Sequence, residues 1–421
     1  MAEHRGDDGH NLVPFPASRK ERDRILHESD DRRVRIVAAL RTAAGFLLVI
    51  GMVVFLLAYW QLFMPSSMRS LIGYAAAGLR EHEGEITTIR YENDTVADGA
   101  LFGFGLAYAD SDALFLANPG SVTTLRIPLG YTAPVVEAAG EHVLAYDRGG
   151  TRAVLCNAAA ATAELTLTST IITGRLARDG RFLLITDEQG YRTAIAVYDT
   201  RGKEVFKYSA SEYYIVSGAL SPDGKTLGVL AFRQNGVSLD THVLFYSVLT
   251  GELTGDVTLA GSLGMELCYF SSGTAAVLCD DGLYLVPRKG GEAEQALAIT
   301  ASDLLTFTVG SDRLALAVRS YSGGARGDLY ILAPDGKLSG PHALEEEPSA
   351  IAVSSAGVAA LSAAGVSVYD HTGRPLWHNS EAVGAQRVLL TDDSTVYALY
   401  TKNTRLFTAH SERSEDISDA E

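Results

Sequence analysis

Apolar positions along this chain follow two regimes. From residue 42 to residue 64, TAAGFLLVIGMVVFLLAYWQLFM, no charged side chain interrupts them, and the next charge is Arg69. At about 1.5 Å of rise per residue this run makes a helix of roughly 34 Å, enough to cross a hydrocarbon core of about 30 Å. It is apolar on all sides, whereas a helix at the edge of a soluble core keeps a polar face. Tyr59 and Trp60 stand near its far end, where amphipathic aromatics favour the headgroup layer. A cleaved signal peptide has a shorter apolar region and a small-residue cleavage site, and Leu62-Phe63-Met64-Pro65 is a poor one. The run therefore reads as a transmembrane helix, with its flank covering residues 36–64. Arg32, Arg33, Arg35 and Arg41 crowd its near side, against Arg69 and Arg80 on the far side. Excess Lys and Arg stay in the cytoplasm. The expectation is a single-pass protein of a bacterial plasma membrane, N-terminus inside, touching the lipid bilayer through residues 42–64.

After Ile86 the pattern becomes short runs rich in Val, Leu, Thr and Tyr, broken by Gly and Asp, with no sustained helical period. An apolar run, a tight polar turn and a second apolar run recur eight times. The copies begin with YADSDALFLA (108–117), AAGEHVLAY (138–146), LARDGRFLLIT (176–186) and LSPDGKTLGVLA (220–231). They continue with FSSGTAAVLC (270–279), VGSDRLALAV (309–318), VSSAGVAALS (353–362) and LTDDSTVYAL (390–399). A second hairpin follows many of them, as in VYDTRGKEVF (197–206), FYSVLTGELTG (245–255), YILAPDGKLSG (330–340) and VYDHTGRPLW (368–377). One unit is thus four short strands in about 40 residues, the signature of a propeller blade. A two-sheet sandwich does not explain eight recurrences. The fold class is all-β: a β-propeller of about eight four-stranded blades, seven being the alternative count, preceded by one transmembrane α-helix. The last unit ends after three strands with LFTA (406–409), and the early strand GEITTIRY (84–91) is placed to complete it and latch the ring. The domains are then a disordered cytoplasmic tail (1–35), the membrane helix (36–64), a juxtamembrane helical stalk (65–84), the propeller (85–410) and a disordered acidic tail (411–421).

Charge and cysteines refine this picture. The net charge is -16. The first 64 residues hold nine basic and eight acidic side chains, and the remainder 26 and 43, or -17. A domain this acidic is repelled by nucleic acid and by anionic lipid, so no nucleic-acid partner is expected. Three cysteines, Cys156, Cys268 and Cys279, form neither a disulfide framework nor a zinc site. Cys268 and Cys279 are candidates to face each other across one hairpin, as a bridge or as two buried thiols.

Catalytic motifs are missing. There is no phosphate loop, nucleophile elbow or His-Glu-x-x-His zinc motif. Asp110 and Asp112 alternate like early calcium ligands, but the rest of that loop is lacking, so they read as a turn. Glu345, Glu346 and Glu347 read as a solvated connector, and His371 and His378 as surface histidines. Asp280 and Asp281 lie in a hairpin; paired carboxylates can hydrolyse glycosides only at a set separation. No catalytic residue, cofactor or metal is assigned.

In the second hairpin an Asp is followed by Gly three residues on and an aromatic seven on: Asp199, Gly202 and Phe206, then Asp370, Gly373 and Trp377. This is similar to the repeat of quinoprotein-dehydrogenase-like (PQQ-like, WD-like) propellers, which include non-enzymatic eight-bladed members, and SPDGK (221–225) looks like turns in other bacterial propellers. The whole chain resembles an uncharacterised family of single-pass bacterial envelope proteins with an extracytoplasmic propeller. The resemblance implies a structural role for these positions, the turn setting the aromatic to dock on the next blade. It implies no bound quinone, because the adjacent cysteine pair and metal-binding acids have no counterpart here.

Recognition is expected of the loops between second and third strands, long at 187–192, 233–240 and 319–327. They carry Arg192, Arg233, Gln234, Asn235, Arg319, Tyr321 and Arg326, a mix suited to adaptable contacts. The functional expectation is a membrane-anchored, non-catalytic module for an envelope protein or for a small or glycan ligand. The alternatives are a carbohydrate-active hydrolase or lyase with acids at the channel, and a transmembrane ligand sensor.

Overall fold

The computed structural model describes residues 32–58 and 87–409, apart from 94–95, 104, 271–272 and 322–324. The chain divides into two units, residues 1–64 and 65–421. In the first, helix α1 spans Arg32–Ala58. It starts inside the arginine cluster, and every side chain from Ala43 to Val54 is exposed. Among the described residues no helix is long and apolar enough to cross a membrane. The aromatic end of the expected span (59–64), the tail to residue 31, the stalk (65–84) and the acidic tail (411–421) lie outside the described residues.

The second unit is eight four-stranded antiparallel sheets. Strand β1 (Thr88–Arg90) comes first. Seven sheets then follow in simple sequence order: β2–β5 (98–128), β6–β9 (134–166), β10–β13 (170–210), β14–β17 (214–259), β18–β21 (264–298), β22–β25 (304–343) and β26–β29 (350–379). The eighth is β30–β32 (387–407) with β1 added beside β32 (Asn403–Phe407). Blade eight is therefore built from both ends of the unit. Tyr91 and Thr404 fasten that junction through a buried hydroxyl pair at 2.7 Å. The count of eight, rather than seven, follows directly from the pairing.

Two local readings need correction. In blade one the recurring hairpin YADSDALFLA joins the second and third strands, β3 (Gly105–Ala109) and β4 (Ala113–Ala117), whereas in the other blades it joins the first and second. The inner strand β2 (Asp98–Phe102) is polar and glycine-bearing, DGALF, and gives only a weak apolar run. The cysteines do not face each other either. Cys268 is opposite Ala276 and Cys279 is opposite Gly264, with a register irregularity between Gly264 and Glu266. All three thiols are buried and free.

Each blade is apolar on both faces because each is covered by two neighbours. Eight buried clusters result, one at each junction between successive blades. Small residues in the strands let sheets approach: a Cβ on Gly218 would lie 2.7 Å from Ile195 Cδ1 of the preceding blade. The inner strands surround a central cavity of about 840 Å³.

Candidate functional site

In a four-stranded meander the turns alternate between two faces. The turn face carries the first-to-second and third-to-fourth turns. The connection face carries the second-to-third turns and the links between blades. Because β1 is a fourth strand, the chain enters the ring at the turn face.

The loops 187–192 and 319–327 join β11 (Phe182–Asp187) to β12 (Thr193–Tyr198) and β23 (Leu314–Arg319) to β24 (Gly327–Leu332). The segment 233–240 is not a loop. It is the outer end of a long hairpin, β15 (Thr226–Asn235) and β16 (Ser238–Ser247), whose pairing runs out to Asn235 opposite Ser238. Its polar sequence, RQNGVSLD, reads as a loop because both sides project past the neighbouring strands: β14 stops pairing at Phe232 and β17 at Thr241.

Arg192 Nε donates to the Ser211 carbonyl at 3.1 Å, and its guanidinium lies 4.5 Å from the centre of the Tyr214 ring. Arg233 lies 5.9 Å from the Tyr213 ring and 3.3 Å from Glu212. Tyr213 meets His242 edge-on. Burial pushes the Tyr213 hydroxyl above its ordinary pKa, Asp256 adding to the shift and Arg233 opposing it. Gln234 donates to the Gly236 carbonyl and Asn235 to Asp240, so the hairpin tip is braced by its own side chains. Arg319 is engaged within the ring. It binds Glu347 at 2.7 Å and the Ser302 carbonyl at 3.3 Å, which holds the Glu347 carboxyl below its ordinary pKa. Tyr321 and Arg326, in the same loop as Arg319, are exposed.

The polar loop residues are half of what stands here. Among the described residues of the ring, fourteen large hydrophobic side chains are exposed, and seven of them lie at the connection-face end of blades three to five. They are Ile172, Tyr191, Tyr214, Val237, Leu239, Leu263 and Met265. Scattered exposed apolar residues are ordinary, but a gathered set marks a contact surface. Tyr191, Val237 and Leu239 stand in segments the sequence singles out, whereas Ile172, Tyr214, Leu263 and Met265 come from three further segments and carry no signal of their own.

The channel holds a second constellation. Arg175 of blade three contacts Glu137 of blade two at 3.2 Å and Glu266 of blade five at 2.5 Å. Glu137 also accepts from Leu176 N, and Glu266 from Ser217. Asp98 of blade one accepts from Val136 N of blade two and pairs with Arg387 of blade eight. Desolvation raises the Glu137 carboxyl above its ordinary pKa, with Arg175 opposing. These side chains tie inner strands together across the channel, and each carboxylate contacts an arginine.

The remaining singled-out residues sit in local structure. Asp110 caps its own turn, accepting from Asp112 N, Ala113 N and Asn93. Asp280 accepts from Leu263 N, and Asp281 from Ser262 and Tyr284. Glu346 accepts from Ala364 N. His371 contacts the Ser355 carbonyl and His378 the Ser367 hydroxyl. Asp199 accepts from Arg201 N and Lys203 N, and Asp370 from Thr372 N and Arg374 N. These turns place Gly202 and Gly373 at φ +77°. Phe206 packs 5.6 Å from Tyr246 of the next blade, and Trp377 sits in the cluster between blades seven and eight. Among the described residues no group of three or more His, Cys, Asp or Glu is arranged to hold a metal ion.

The sequence profile of a family of unknown function, DUF5711, matches residues 85–405, which is the whole ring except the end of its last strand. The chain belongs to the DUF5711 family. No curated protein matches it. Among solved structures this DUF5711 ring is similar to the computationally designed Ika8 protein, with a TM-score of 0.55 and 12% identity over 77% of this chain and 98% of that one. It is also similar to BamB from Moraxella catarrhalis, with a TM-score of 0.50 and 14% identity over 77% and 100%. At these identities the likeness shows a shared propeller fold.

Proposed function

We propose that this DUF5711 protein is a non-catalytic interaction module that docks a protein partner on the connection face of blades three to five. The observation that carries this reading is that half the exposed large hydrophobics among the described residues of the ring stand there, beside two arginines laid over tyrosine rings. Aromatic and arginine side chains around apolar contacts are the composition of binding hot spots. The surface lies on the face of the ring opposite the one where β1 begins. The channel carboxylates are spent on Arg175 and on backbone amides, which favours an interaction module over a hydrolase built on a free acid pair.

The location belongs to the same proposal. The uncharged run 42–64 and its arginine flank, with the exposed apolar side chains of α1, support a single-pass anchor in a bacterial plasma membrane and a ring outside it.

Site-specific photocrosslinking in intact cells tests both parts. Probes at Tyr191 and Tyr214 are expected to capture one defined protein. Probes at Val122 and Leu249, exposed on the turn face, are not. The double variant Tyr214→Ala/Met265→Ala is expected to lose that product. Equal capture from both faces, or none from either, refutes the docking face. Resistance of the ring to external protease in spheroplasts refutes the location.

A further inference from the structure

The wall of the central channel is uneven. On one side a belt of polar side chains crosses six blades. Arg387 of blade eight pairs with Asp98 of blade one, and Asp98 accepts from Val136 N of blade two. Glu137 of blade two meets Arg175 of blade three, and Arg175 meets Glu266 of blade five. Ser217 of blade four donates to Glu266 at 2.7 Å. The other side is different. The inner strands of blades six and seven, β22 (Leu304–Val309) and β26 (Ala350–Val353), contain no charged residue. They line the cavity with Phe307, Thr308 and Ile351 among others. In a ring of eight, blade six stands across the axis from blade two, and β22 is partly exposed at all six positions. A cavity of about 840 Å³ is of the size that holds small organic ligands.

The belt is also unbalanced. Three carboxylates, Asp98, Glu137 and Glu266, meet two guanidiniums, Arg175 and Arg387. With all five groups ionised, one negative charge is in excess. Glu137 and Arg175 line the cavity. A carboxylate offers about four acceptor positions, and on Glu137 the protein donors are Arg175 at Oε1 and Leu176 N at Oε2. Each oxygen keeps a position for a further donor, which suits a held cation. Desolvation raises the Glu137 pKa, and Glu266 and Asp98 add to the rise that Arg175 opposes. A second cation beside Glu137 acts against all three. The cavity takes in the first turns of blades two to six, at Gly140, Arg178, Ser221, Phe270 and Gly310, so it reaches the turn face. There Asp179 pairs with Arg181, Asp312 with Arg313, and Arg178 is exposed. Glu137 precedes Gly140 by three residues, roughly 10 Å along an extended strand, so the excess charge lies inside the mouth.

From this arrangement we infer that the central channel binds a small organic monocation, its ammonium group held by Glu137 and its apolar body laid against blade six. This site goes beyond the docking face proposed above and is independent of it, because the cavity reaches the opposite face of the ring.

Calorimetric titration of the full-length protein at neutral pH tests it with phenethylamine, which is an ammonium ion there. Phenethyl alcohol and hydrocinnamate present the same ring with a neutral and an anionic head. The amine is expected to bind once per ring, at least about tenfold tighter than the other two. Glu137→Gln keeps the size of the side chain. It is expected to weaken the amine about tenfold or more and to leave the alcohol unchanged. Thr308→Trp fills the facing wall without touching a charge and is expected to weaken all three compounds. The comparison of three compounds on the unaltered protein stands by itself if a variant fails to fold. No saturable binding of the amine, or equal affinity for the three, overturns the inference. Amine affinity that survives Glu137→Gln, or an equal loss for the alcohol, overturns the role of Glu137. Affinities unchanged by Thr308→Trp overturn the placement of the apolar body.

Discussion

Replacing Arg175 with Met tests whether the channel charges hold the ring together. The guanidinium contacts Glu137 at 3.2 Å and Glu266 at 2.5 Å, and its side chain is 35% exposed against 22% and 14% for theirs. Breaking a fully buried pair by removing one partner costs about 3–5 kcal/mol, because a charge is left uncompensated. Water in the channel screens part of that, so the expected loss at pH 7 is about 2 kcal/mol, or roughly thirtyfold in the folding constant. The pH dependence carries the mechanism. Desolvation already raises Glu137 above its ordinary value, and Arg175 is the largest opposing influence. A carboxyl whose folded pKa is raised binds its proton more tightly in the native state, so stability rises as pH falls through that pKa. Without Arg175 the carboxyl moves up further, and protonation removes the uncompensated charge. The deficit of Arg175→Met is therefore expected to shrink as the pH is lowered from 7. Equilibrium urea unfolding followed by tryptophan fluorescence measures it at each pH. Glu137→Gln added to Arg175→Met is expected to recover part of the loss at pH 7. A deficit that stays constant or grows on acidification, with no recovery in the double variant, would falsify the electrostatic account.

Two further predictions concern the repeat positions. Phe206→Ala removes a buried ring that packs on Tyr246 of the next blade. It is expected to cost about 3 kcal/mol in urea unfolding, and a loss under about 1 kcal/mol would deny inter-blade docking as its role. Gly373→Ala places a Cβ at φ +77° against the His342 side chain of the preceding blade. The expected loss is about 1–2 kcal/mol, with His342→Ala recovering the steric part; no recovery would assign the cost to the backbone alone.

The architecture was legible because a blade is a local object. Tight turns such as Asp179-Gly180 and Asp223-Gly224 sit between apolar runs a few residues away, and neither depends on the rest of the ring. The latch at β1 was legible for a different reason: a three-stranded last unit needs a fourth strand, and one unassigned strand stood before the first unit. The frame of blade one was not legible. DGALF gives little apolar contrast, so the hairpin after it took its place.

What the sequence hides is whatever the closure of the ring creates. Arg175, Glu137 and Glu266 are far apart along the chain and belong to three blades, and none forms a motif with its own neighbours. The exposed apolar surface is similar. Leu263 and Met265 read as ordinary strand residues until blade five turns the start of β18 to solvent. A periodic pattern shows which residues alternate inward, but the end of each strand is buried or bare according to how far the neighbouring blade extends. The long hairpin of blade four makes the point in reverse. Its tip is polar on the exposed edges and reads as a loop, yet its pairing is continuous because two strands need only each other. In this ring exposed residues stand where strands outrun their neighbours, and that length difference is a property of adjacent blades taken together.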